Sequence, residues 1–194
     1  MEPQPTDMEI IRRVLGGDRR AYAVLVDRYS HMVYTLAARM LGNRELAEES
    51  AQDAFLKAYQ ALDGFRGNAK FSTWLYRITY FRVLDVADRE GRKRRLESDL
   101  PAEGLAAGFA NETWQGLVRT ERGALVRCLM DRLPAEDSAV LSLHYLQELS
   151  LKEVGEVMEL HPNTVKVRLH RARKRLKDLI DHQGNRKILQ DYGS

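Results

Sequence analysis

The sequence predicts an all-α chain: two small helical domains joined by an acidic linker, the C-terminal one containing a helix-turn-helix. Three observations carry this. Apolar residues recur at three- and four-residue spacing along most of the 194 residues, and no alternating apolar–polar run of useful length suggests a strand. From Leu96 to Val118 there is no Lys or Arg, while Glu97, Asp99, Glu103 and Glu112 are acidic. Near the C-terminal end, a capped short helix, a tight turn and a longer basic helix follow one another.

The elements are predicted in order. "DMEIIRRVLGGD" reads as a short helix stopped at Gly16-Gly17, with Asp18 placed to cap the next. That second helix carries Tyr22, Leu25, Val26, Tyr29, Val33, Leu36, Ala37 and Met40 on one face and ends at Gly42-Asn43. The third sets Leu46, Ala47, Ala51, Ala54, Phe55, Ala58 and Leu62 against a polar side of Glu45, Glu48, Glu49, Gln52 and Asp53. After the turn-rich "GFRGNAK", a fourth helix begins at Phe71. These make a first domain over 1–95. The stretch 96–118 reads as a flexible linker, with Pro, Gly and small residues and no sustained period. The second domain spans 119–185, leaving a tail at 186–194. Its elements are a helix near 113–132, one started by Pro134, one with the capping box Ser150–Glu153, and one opened by Pro162.

Composition excludes several classes. Net charge is +3, with 44% hydrophobic and 30% charged residues, enough to bury a core and remain soluble. No uncharged apolar run reaches the ~18 residues of a membrane span, and "MEPQPTDMEI" has none of the marks of a secretory signal. A cytoplasmic protein without stable membrane insertion is expected. The single cysteine, Cys128, reads as a small core residue, and the five histidines form no metal-binding pattern. No cofactor, metal site or catalytic constellation is expected.

Three stretches carry chemistry. "NTVKVRLHRARKRLK" holds seven Lys or Arg in fifteen residues, with Val165, Leu169 and Ala172 on the opposite face. Such a helix can meet a membrane, a protein groove or DNA. The small apolar face is poor for a membrane, and the capped helix and turn before it favour the major groove of duplex DNA. Lys166, Val167, His170 and Arg171 would then face bases, and Arg173, Lys174 and Lys177 phosphates. The second stretch gathers five of the fifteen aromatics in Phe71–Phe81 (Phe71, Trp74, Tyr76, Tyr80, Phe81) with Lys70, Arg77 and Arg82. Aromatic faces beside a basic track suit unstacked single-stranded bases, though part of that stripe must be core. The third is the acidic face of the third helix, which on its own reads as a solvated surface. A helix-turn-helix regulator that never melts DNA, or a helical adaptor for proteins, stays open on these features.

Three segments in order resemble the extracytoplasmic-function sigma factors, the minimal two-domain class of bacterial initiation factors. They are "GDRRAYAVLVDRYSHMVYTLAARMLGNRELAEESAQDAFLKAYQALDGFRG", "FSTWLYRI" and "LSLKEVGEVMELHPNTVKVRLHRARKRLK". The resemblance implies a non-enzymatic factor that binds core RNA polymerase, melts promoter DNA and is silenced by an anti-sigma factor. It implies core-polymerase contact by Glu48, Glu49, Gln52, Asp53, Phe55 and Leu56. For minus-ten DNA it implies the loop Phe65, Arg66, Gly67, Asn68, Ala69 and Lys70, with Phe71, Trp74, Arg77 and Phe81. For the minus-thirty-five duplex it implies His144, Lys166, Val167, Arg168, His170, Arg171, Arg173 and Lys174. The linker would thread towards the polymerase cleft. The family commonly has Asn where Phe81 stands, and often Ser where Val167 stands; a valine suits a thymine methyl.

Overall fold

Helix caps set most of the boundaries. In the computed structural model, which describes residues 5–97, 126 and 128–182 (side chains of 94–97 and 182 excepted), α1 spans Asp7–Leu15. A capping box opens it, with Glu9 accepting from the Thr6 backbone N–H at 2.7 Å. α2 is Tyr22–Leu41, and Gly42 ends it in the left-handed region at φ 59°. α3 is Arg44–Gln60, capped by the Asn43 side chain accepting from Leu46 N–H at 3.0 Å. α4 runs Phe71–Glu97. α5, Ala135–Leu141, passes into a π-helical turn, Ser142–Leu146. α6 is Leu151–Met158 and α7 is Pro162–His182. No strand occurs among the described residues.

Two expectations change in detail. Asp18 does not cap α2 with its side chain; its carboxylate binds Arg13 at 2.8 Å, and α2 grows out of a 3-10 turn at Arg19–Ala21. The last turn of α4 continues through Leu96 and Glu97, where the linker was expected to have begun. The rest of that linker, most of the helix near 113–132 and the tail lie outside the described residues. Cys128 is half-buried.

Packing forms two apolar clusters. The first lies wholly in the N-terminal bundle: Ile10, Ile11, Leu25, Val33, Phe55, Leu62, Phe71 and Leu75 join α1 to α2, α3 and α4. The second crosses between the two predicted domains. It puts Leu36, Met40, Tyr76, Tyr80 and Val83 with Val140, Leu143, Val154, Met158 and Leu169. Accordingly α4 packs on α6, and α2 on α5. Leu75 and Leu143 are each 0% exposed, and burying such a side chain is worth about 1.5–3 kcal/mol.

Candidate nucleic-acid interface

Aromatic packing, rather than exposure, organises the N-terminal surface. The Phe65 ring meets Phe71 edge-on at 5.6 Å and tilts against Trp74 at 5.2 Å. Those contacts hold the loop after α3 onto the first turn of α4. The turn itself needs Gly67, whose φ of 73° disfavours other residues. Arg66, Gly67, Asn68 and Lys70 are exposed and Ala69 is half-buried. Phe71 is only 3% exposed, packed on Tyr29 at 5.5 Å, so it supports the loop and cannot itself receive a base. Trp74 is half-buried. Phe81 is half-buried and packs on Tyr80 at 5.1 Å beside the shared cluster. Tyr76 and Tyr80 are 2% exposed and belong to that cluster.

Three cations of this surface are paired. Lys70 Nζ lies 3.0 Å from a Glu153 carboxylate oxygen on α6, and Arg77 binds Glu159 just beyond α6. Arg82 donates to Asp53 through Nε at 2.9 Å and Nη2 at 2.5 Å. The Ser150 backbone N–H first, then Lys70 and the Ser150 hydroxyl, hold the Glu153 carboxyl down at about 2.

On the outer face of α3, Glu48, Glu49 and Gln52 are exposed, and Glu48 accepts from Arg44 at 2.6 Å. Leu56 stands out at 55% exposure. Two residues that the resemblance groups with this surface are engaged differently. Phe55, 9% exposed, points into the first cluster, and Asp53 is tied to Arg82. The helical period explains Phe55: it follows Ala47, Ala51, Ala54 and precedes Ala58 on the buried stripe.

The C-terminal unit has the geometry of a helix-turn-helix. Ser150 and Glu153 close their capping box, with Glu153 N–H donating to the Ser150 hydroxyl at 3.2 Å. α6 ends at Glu159, left-handed at φ 55°. A Cβ at Gly155 would stand 2.5 Å from the Leu160 carbonyl oxygen, so only glycine permits this turn. Val165, Leu169 and Ala172 seat α7 against Val154 and Met158. The opposite face presents Lys166, Val167, His170, Arg171, Arg173 and Lys174 to solvent. Among the described residues Lys166, Arg171 and Lys174 form no ion pair. Arg168 differs from expectation: it is half-buried and paired with Glu136 at 2.7 Å.

The π-turn brings a further group to this face. His144 Nδ1 lies 2.9 Å from the Leu149 carbonyl oxygen. A carbonyl only accepts, so Nδ1 donates, and Nε2 is the acceptor in the neutral tautomer. Beside it Tyr145, 50% exposed, accepts a hydrogen bond from Arg173 Nη1 at 3.2 Å. Sequence reasoning missed Tyr145, because "SLHYLQEL" reads as continuing helix; an exposed aromatic in that run was the available signal. No group of His, Cys, Asp and Glu suited to a metal occurs among the described residues, nor any helix long and apolar enough to cross a membrane.

Comparison with known proteins agrees with this geometry. The Sigma-70 region 2 model matches residues 25–93, and the Sigma-70 region 4 model matches 124–176. The chain is 37% identical over 187 residues to the ECF RNA polymerase sigma factor SigW of Bacillus subtilis, covering 87% of this chain and 96% of the relative. It is 34% identical over 181 residues to the RNA polymerase sigma-H factor of Pseudomonas aeruginosa, covering 90% and 93%. Its fold is similar to that of the sigma factor RpoE from Bartonella quintana, solved in complex with the anti-sigma factor NepR, at TM-score 0.66 and 19% identity over 84% and 98% of the two chains. A region 2 bundle followed by a region 4 helix-turn-helix, shared with these relatives along nearly their whole length, makes this chain a member of the extracytoplasmic-function sigma factors of RNA polymerase.

Proposed function

We propose that the chain acts in the cytoplasm as a non-enzymatic initiation factor, divided into a domain over 1–95, a linker over 96–118 and a domain over 119–185. Core RNA polymerase docks on the exposed α3 face, Glu48, Glu49, Gln52 and Leu56. The loop Arg66–Lys70, with Trp74 and Arg77, holds the opened minus-ten strand. Phe71 and Phe81 support that surface from behind. α7 enters the minus-thirty-five major groove, with Lys166, Val167, His170 and Arg171 at base edges and Arg173 and Lys174 at phosphates. His144 adds an acceptor at Nε2, suited to a base amine. An anti-sigma factor covers these surfaces when the protein is silent.

The observation that supports this reading best is the exposed basic face of α7, where Lys166, Arg171 and Lys174 form no ion pair among the described residues, mounted on a capped helix and a glycine-dependent turn. Its test is 2-aminopurine fluorescence in a promoter duplex. Fluorescence should rise only when chain and core polymerase are both present. Duplex binding by the chain alone, with no core-dependent opening, would instead mark a helix-turn-helix regulator.

A further inference from the structure

Resting on the reading of α7 as the duplex-binding helix, we infer that Tyr145 is a positioning residue for Arg173 and thereby fixes one phosphate contact of the minus-thirty-five interface.

Arginine on a free helix face samples many rotamers, and each phosphate contact must overcome that freedom. Arg173 is exposed, yet its Nη1 donates to the Tyr145 hydroxyl at 3.2 Å across 28 residues of chain. Among the described residues it has no carboxylate partner, whereas Arg168 and Arg175 of the same helix pair with Glu136 and Asp137. A phenol oxygen can hold a guanidinium without neutralising it, so the full charge remains for a phosphate.

Tyr145 is in turn held in place from three sides. It sits in the π-helical turn Ser142–Leu146, where Gln147 N–H reaches back to the Ser142 carbonyl at 3.0 Å. Such turns redirect side chains and are frequent at functional sites. Leu143, at 0% exposure, anchors the turn in the shared cluster, and Ser142 beside it is buried at 1%. His144 packs edge-on against the Tyr145 ring at 4.8 Å and is itself fixed by the Leu149 carbonyl. An aromatic ring with two torsions, half exposed and so braced, is a low-entropy post for a long cation.

The experiment uses holoenzyme assembled from full-length chain and core polymerase, and fluorescein-labelled duplex selected from random sequence by the wild-type holoenzyme. Tyr145→Phe keeps the ring and removes only the oxygen. It should weaken binding roughly threefold to tenfold and lower the slope of log K against log salt by up to about 0.9, the share of one phosphate. Arg173→Ala should lower the slope equally, and adding Tyr145→Phe to it should change binding less than about twofold, since both act through one contact. A Tyr145→Phe slope equal to wild type, or losses that add in the double variant, overturns the inference. If Arg173→Ala and Lys174→Ala themselves leave affinity and slope unchanged, the reading of α7 fails instead.

Discussion

Lys70 just before α4 and Arg77 on it, and Lys166, Arg171 and Lys174 on α7, carry the same charge, but the fold treats them differently. The first pair is matched to Glu153 and Glu159 of the helix-turn-helix. The second set faces solvent without ion pairs among the described residues. One surface is thus closed by the other half of the same chain. Exposed ion pairs are worth only about 0–1 kcal/mol each, so the apolar cluster between the halves must supply most of the closure. That cluster contains the Tyr76 hydroxyl, buried with no hydrogen-bond partner among the described residues. Leaving a donor unmade costs about 1–3 kcal/mol, which suits a face that is wetted in another state.

The largest test concerns that cluster. Leu143→Ala should cost about 2–5 kcal/mol and shift the same single urea transition that Leu75→Ala shifts. Two transitions, with Leu143→Ala moving only one, would mean that the halves are not one cooperative unit. Next comes the turn that aims the open surface. Gly155→Ala forces a Cβ to 2.5 Å from the Leu160 carbonyl and should cost about 1–3 kcal/mol. Thermal unfolding should fall with it, and duplex binding should fall further, because α7 loses its angle. Unchanged binding would break the link between turn and interface.

The closed surface can be opened with little damage. Glu159 is left-handed at φ 55°, a position where glycine is at ease. Glu159→Gly removes the partner of Arg77 while relieving the helix end, for a gain of up to about 1 kcal/mol. The free chain should then bind a fluorescent single-stranded oligonucleotide more tightly than wild type, measured by anisotropy, with the difference shrinking as salt rises. Equal affinity at low salt would show that the carboxylates do not compete for that surface.

The open region was legible in the sequence because its signals are local. Ser150, Glu153, Pro162 and the spacing of Val165, Leu169 and Ala172 lie within 23 residues, and each obeys a rule of one helix or one turn. The closed region was less so. Aromatics in Phe71–Phe81 announce both a core and a base-stacking face, and only packing assigns Phe71, Tyr76 and Tyr80 inward. Phe55 sits on the alanine stripe, where the helical spacing places it; the resemblance alone groups it with the acidic face. Asp53–Arg82 and Arg168–Glu136 join residues 29 and 32 apart, beyond any local pattern. The π-turn left no period of its own, so Tyr145 stayed hidden in an apparent helix.

The smallest effect separates the two roles of Glu153, helix cap and bridge to the closed surface. Its carboxyl is held near 2, against an ordinary 4.5, first by the Ser150 backbone N–H and then by Lys70. A depressed folded-state value stabilises the fold above pH 4.5, and that stability is lost as pH falls towards 2. Glu153→Gln should therefore flatten the dependence of unfolding free energy on pH in that window. Lys70→Met keeps the stem but removes the ammonium. The Glu153 carboxyl, followed by NMR titration, should then rise only part of the way, because the Ser150 hydrogen bonds remain. No rise at all would mean that the bridge to Lys70 is not formed in solution, and the contrast between a closed and an open surface would lose one of its two ion pairs.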